Sequence, residues 1–173
     1  MKAIITQDTD VESPREWGHS SKMYCWHKRY NLGDVQPKQD PDDVLKDQPK
    51  GSIILPLYLH DHSGLSMSTA DFRDPWDSGQ VGFIVLTPEG IRKDFACKRI
   101  SAATRQKALL NLKSQVEIYS DYLAGNVWSF TIEDDNGEHL DSCCGFYGKD
   151  IEGMVCNAGE KYREVLTEAW DNM

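Results

Sequence analysis

The stretch SAATRQKALLNLKSQVEIYSDYLA, residues 101–124, decides the fold. Leu109, Leu112, Val116, Tyr119 and Leu123 recur there at spacings of three and four, which draws one apolar stripe along a helix. Ser101 is placed to cap the first turn. Gly125 stands where a helix commonly ends in a left-handed residue. Each large side chain of such a stripe contributes about 1.5–3 kcal/mol when buried. A helix of this length needs a broad apolar surface to pack on, and the flanking sequence offers strands to build one.

Upstream, residues 82–87 (GFIVLT) form the clearest strand, closed by a turn at Pro88-Glu89-Gly90, with a short helical turn at 91–95. Residues 52–62 (SIILPLYLHDH) have the β-branched and aromatic content of a core strand, and Pro56 implies an edge or a bulge. Residues 2–6 suit a short strand. Residues 22–30 alternate, with Met23, Cys25 and His27 on one face and Tyr24, Trp26 and Lys28 on the other. Asn31 to Asp34 turns the chain. The polar span 35–51, with Pro37, Pro41 and Pro49, reads as a short surface helix from Asp40-Pro41 or as a loop.

Downstream, residues 127–132 set Trp128, Phe130 and Ile132 on one face, and Asp135-Asn136-Gly137 signals a hairpin. A two-residue loop would set Ile132 against Asp141. A three-residue loop, 136–138, aligns Phe130 with Cys144 and Trp128 with Phe146, and keeps the apolar face together. Tyr162, Val165, Leu166 and Trp170 mark a short terminal helix. The expected architecture is α+β: one domain over 1–173, with a mostly antiparallel sheet of five or six strands. The long amphipathic helix covers one face, and a short C-terminal helix docks on the body.

Composition bounds the function. No run of 18 apolar residues exists, so no membrane-spanning helix is expected. The N-terminus turns acidic too early for a secretory signal. Cys25, Cys97, Cys143, Cys144 and Cys156 include no C-x-x-C pair, which suits reduced thiols in a reducing compartment. The net charge of −9 argues against direct binding to nucleic acid or anionic lipid and favours basic partners. That charge is uneven. From Arg92 to Lys113, seven bases face only Asp94. From Glu133 to Met173, eleven acids face three bases. If the acids share a face, Glu160, Glu164 and Glu168 are candidates for binding a basic surface.

Two clusters stand out for chemistry. His60 and His62 project to one side of a strand. With a carboxylate from Asp71, Asp74 or Asp77, above all Asp77, they form a three-ligand set suited to zinc or iron, able to activate water. Aspartates beside Pro75-Trp76 more often serve as turn formers and caps. The segment 72–83 (FRDPWDSGQVGF) places Trp76 and Asp77 in a proline-stiffened loop. There Trp76 either anchors a protein interface or folds back over the core. Cys25, His19 and His27 form a second nest of ligand types, and Cys143-Cys144 lie near His139. No phosphate loop and no nucleophile elbow are present, so no cofactor is expected. A divalent metal such as zinc enters only with the hydrolase alternative.

Several motifs recur together: SPREW (13–17), CWHKRYNLGD (25–34), LPLYLHDHSG (55–64), PWDSGQVG (75–82) and DSCCGFYG (141–148). Across roughly residues 12–150 the chain resembles a family of small acidic proteins encoded by bacteriophages. It departs from that pattern at Gly18-His19-Ser20-Ser21-Lys22, where an acidic residue is expected. The resemblance implies a phage origin and no mechanism; together with the acidic C-terminal region, that origin leads to the expectation of an interaction protein acting in the host cytoplasm on a host protein with a basic surface. An inhibitor of a defence nuclease is one such protein, since those enzymes expose basic channels that an acidic face can occupy. The alternative is a small metal-dependent hydrolase of a nucleotide or phosphoester, built on His60, His62 and Asp77.

Overall fold

The computed structural model describes residues 1–173. Seven strands run in chain order: β1 (Lys2–Gln7), β2 (Lys22–Cys25), β3 (Ile53–Asp61), β4 (Leu65–Ser68), β5 (Ser78–Leu86), β6 (Val127–Glu133) and β7 (His139–Tyr147). The helices are α1 (Pro41–Lys46), α2 (Pro88–Asp94), α3 (Ala102–Leu123), α4 (Ile151–Ala158) and α5 (Arg163–Asp171). The chain divides into two compact units. One is Ser13–Leu123. The other joins Met1–Glu12 to Ala124–Met173.

The α+β class and the antiparallel pairing match the sequence-based expectation, but the single sheet of five or six strands does not. Two separate sheets form instead, one of three strands in the order β1-β6-β7 and one of four in the order β2-β5-β3-β4. The physical reason is pairing. Residues Lys2–Gln7 ladder onto Val127–Glu133 from Lys2↔Glu133 to Gln7↔Trp128, and alternation within a strand says which face is apolar but not which strand lies beside it.

In the Ser13–Leu123 unit, α3 covers one face of the four-stranded sheet. Ala108, Leu112, Val116 and Tyr119 meet Met23, Leu57, Leu59, Met67, Ile84 and Leu86. The stripe is rotated from the expected one: Ala108 and Gln115 are buried, Leu109 and Leu123 only half-buried. Ser101 Oγ accepts the Thr104 amide at 3.0 Å, as a cap should, and Gly125 has φ +67°. On the opposite sheet face, Phe83 and Val85 pack with Val44 of α1 and with Tyr24, Trp26 and Leu45. The end of β5 is thus buried on both sides, which explains its unbroken apolar run. Gly82 is required there, since a Cβ would lie 1.9 Å from the Tyr24 carbonyl oxygen of β2.

Pro56 pairs with Phe83 just before a bulge between Leu57 and Tyr58. β4 pairs only with Tyr58–Asp61, so at Pro56 the strand has one neighbour and a missing amide is tolerated. The side chain of Arg15, only 5% exposed, binds both carboxylate oxygens of Asp34, at 3.1 and 2.7 Å, and Gln115 Oε1 of α3 at 2.9 Å. It also donates to the Ser21 carbonyl at 3.1 Å.

Three further expectations are corrected. Pro88 opens α2 rather than a turn: Thr87 Oγ1 accepts the Gly90 amide at 3.1 Å, and proline suits the first helical position. β2 stops at Cys25, so His27 lies beyond the strand. In the β6–β7 hairpin both registers occur. Trp128 faces Phe146, but Ile132 faces Asp141 and Phe130 faces Cys143, because irregularities shift the ladder.

The second unit packs Ile5, Phe130, Ile132 and Phe146 of its sheet against Met154, Val155, Tyr162 and Leu166. Its α4 is an element not expected from sequence, capped by Asp150, whose carboxylate accepts the Gly153 amide at 3.0 Å. No helix of the chain is long and apolar enough to cross a membrane.

The rotated stripe makes a direct prediction. Leu112→Ala removes a fully buried side chain and should cost about 2–5 kcal/mol in chemical denaturation. Leu110→Ala, at a site 55% exposed, should stay within about 0.5 kcal/mol.

Candidate partner-binding site

The chain leaves the four-stranded sheet after Ser68, the end of β4, and returns to it at Ser78, the start of β5. His60 pairs with Ser78 across the β3–β5 ladder, and the Asp61 amide donates to the Asp77 carbonyl at 2.8 Å. The loop before β5 is therefore pinned at its exit. Its interior is ordered by carboxylates. Asp71 Oδ1 accepts the Arg73 amide at 3.0 Å, and Arg73 adopts a left-handed φ of +59°. Asp74 Oδ1 accepts the amides of Trp76 at 3.0 Å and Asp77 at 3.3 Å. Ser78 Oγ donates to the Asp74 carbonyl at 2.5 Å.

The two histidines brace this loop. His60 Nε2 lies 3.4 Å from Asp74 Oδ2, and its ring stacks on Phe72 with centroids 5.3 Å apart. His62 Nδ1 lies 2.8 Å from Asp77 Oδ2. The imidazoles do share a side, with centroids 6.0 Å apart, but each meets a different carboxylate. No group of three or more His, Cys, Asp or Glu side chains gathers in a way that could hold an ion. Amides of Trp76 and Asp77 hold the Asp74 carboxyl below its usual value, with a smaller contribution from His60.

Trp76 does not fold back. It is 91% exposed. Asp71, Arg73, Asp74, Pro75 and Ser78 line an open cleft of about 370 Å³ beside it.

The acidic candidates lie in the other unit. Arg163 clamps Glu160 at 2.5 and 3.1 Å and Glu152 at 2.6 and 3.0 Å. Hydrogen bonds from that guanidinium hold both carboxyls below their usual values. Glu160 is therefore engaged within the fold. Glu164 and Glu168 are exposed, without ion pairs, one turn apart on α5. They line an open groove of about 750 Å³ whose other walls include Glu160, Thr167 and Asp171 together with the bases Lys161 and Arg163. Their unit holds fourteen acids against four bases, a net −10; the Ser13–Leu123 unit holds fourteen acids against fifteen bases, a net +1.

The remaining candidates are placed apart from this chemistry. Cys25 is fully buried, and desolvation pushes its thiol up to about 12, the opposite of an activated nucleophile. His27 Nδ1 accepts the amides of Arg29 and Tyr30 at 3.3 and 3.2 Å. His139 Nε2 lies 3.0 Å from Ser142 Oγ. The reading of these aspartates as turn formers and caps holds for Asp71 and Asp74. An aspartate two residues before an amide donor was the available signal.

Comparison with known proteins returns no matching family, no matching curated protein and no matching solved structure.

Asp74's role gives a pH prediction with a definite sign. A carboxyl whose folded value is depressed contributes order that is present above its ordinary value of 3.8 and is lost as pH falls through the lower folded value. The hydrogen-bond-shifted amide resonances of Trp76 and Asp77 should move toward random-coil positions over that acid range. Asp74→Ala should show the moved positions at neutral pH, read by two-dimensional NMR.

Proposed function

We propose that the chain is an interaction protein that docks on a basic surface of another protein. The phage-like motifs point to a host protein, with a defence nuclease as its most specific form. The observation that carries this reading is Trp76, 91% exposed on a loop already held in shape. An ordered loop loses little entropy on binding, and tryptophan is among the residues enriched as interface anchors. The carboxylates of Asp71 and Asp74 line the cleft beside it. An indole face beside carboxylates suits an arginine or lysine side chain, by cation–π attraction and ion pairing together.

The acidic unit supports the same reading. A net −10 on that unit draws a basic partner at long range and speeds encounter. Glu164 and Glu168 are free to pair, whereas Glu160 is occupied by Arg163.

Affinity capture from host lysate, followed by titration of the captured protein against variants, tests this. Trp76→Ala should weaken binding by roughly 30-fold or more. Glu164→Lys with Glu168→Lys should slow association and flatten its dependence on salt. Wild-type affinity in both variants would overturn the proposal.

A further inference from the structure

We infer that the corner joining α2 to α3 is a second interaction surface, suited to the phosphate backbone of duplex nucleic acid. Arg92, Lys93, Lys98, Arg99, Lys107 and Lys113 are all exposed, and none of them forms an ion pair. Elsewhere in the chain Lys2, Arg15, Arg29, Lys46, Lys149 and Arg163 each hold a carboxylate. The one acid of the 92–113 segment, Asp94, accepts a hydrogen bond from Ser20 Oγ at 2.5 Å. Arg105 donates to the carbonyls of Gly51 and Ser52, at 2.8 and 3.3 Å.

Four of these free cations lie between Arg92 and Arg99, immediately before the start of the 22-residue α3. Its helix dipole adds positive potential at that end, beside the hydroxyls of Ser101 and Thr104. The side-chain types present, ammonium, guanidinium and hydroxyl, are those that bind phosphate oxygens.

The chemistry separates nucleic acid from an acidic protein. A protein interface is centred on aromatic or apolar anchors. Here Phe95 packs against the core, and Leu110 is the single exposed large hydrophobic residue in the segment. Without exposed aromatic rings there is no platform for stacking single-stranded bases, which leaves the duplex backbone, bound without regard to sequence. The chain's net −9 does not oppose this. It comes from the other unit, while this one carries +1.

Fluorescence anisotropy with a labelled duplex of arbitrary sequence, roughly two helical turns long, tests the inference. Binding should be weak, in the range of about 10⁻⁴–10⁻⁶ M, and should fall steeply with salt. Lys93→Glu, Lys98→Glu and Arg99→Glu together should lower affinity about tenfold or more and reduce the salt slope by about three. Should that variant fail to fold, Lys98→Gln and Arg99→Gln singly should each reduce the slope by about one, with unchanged melting. Trp76→Ala should bind duplex normally, which separates this surface from the protein-docking loop. Absence of binding at low salt, or binding indifferent to these substitutions, would overturn the inference. So would displacement of duplex by polyglutamate at equal charge, or salt-sensitive self-association in place of duplex binding.

Discussion

The rung of the β3–β5 ladder that pairs His60 with Ser78 is the constraint on which the candidate docking site depends. Between the end of β4 at Ser68 and Ser78 the chain leaves the sheet, and a loop whose ends are free would present Trp76 as a mobile side chain. Pairing at both ends removes most of that freedom before any partner arrives. The ladder in turn depends on close approach elsewhere, with Gly82 letting the β2 backbone pass where no side chain fits. It also depends on α3, whose buried stripe covers the sheet from Met23 to Leu86. A chain of ordinary packing contacts thus ends in an indole held out in water.

That exposure is what separates a functional surface from a structural one. A tryptophan is costly to leave in solvent and easily buried by a loop that can move. Here the loop cannot close over the core, because the Asp74 carboxylate is committed to the amides of Trp76 and Asp77. The imidazoles of His60 and His62 contact the same loop through different carboxylates, His60 through that of Asp74 and His62 through that of Asp77.

Much of this was readable in the sequence where the signal is local. The long helix, its Ser101 cap, the Gly125 end, the strand from Gly82 and the bulge near Pro56 all follow from short-range preferences. The two-sheet division was not readable, because Lys2–Gln7 and Val127–Glu133 are distant in sequence and nothing in either names the other. The rotation of the α3 stripe was missed for a related reason. Ala108 and Gln115 are buried by what packs on them, Gln115 because Arg15 and Ser21 satisfy its amide oxygen. For the candidate site, Trp76 was singled out by residue type, but its outward orientation is a property of the Asp74 turn. The helix α4 had a usable signal, an aspartate before Ile151, Met154 and Val155, masked by the neighbouring glycines.

Net charge illustrates how a global quantity can mislead about a surface. A value of −9 argues against polyanions only if charge is mixed on the scale of a Debye length. This chain sorts its charge by unit: the β1-β6-β7 unit holds the whole surplus of acid, and the α2–α3 corner holds unpaired cations. Such sorting has a cost, since like charges within one unit repel and destabilise it. The Arg163 clamp on Glu152 and Glu160 relieves part of that repulsion. Glu164 and Glu168 receive no such relief. Where a fold neutralises some of its carboxylates and leaves others bare on one helix face, the bare ones are the groups a cationic partner can reach.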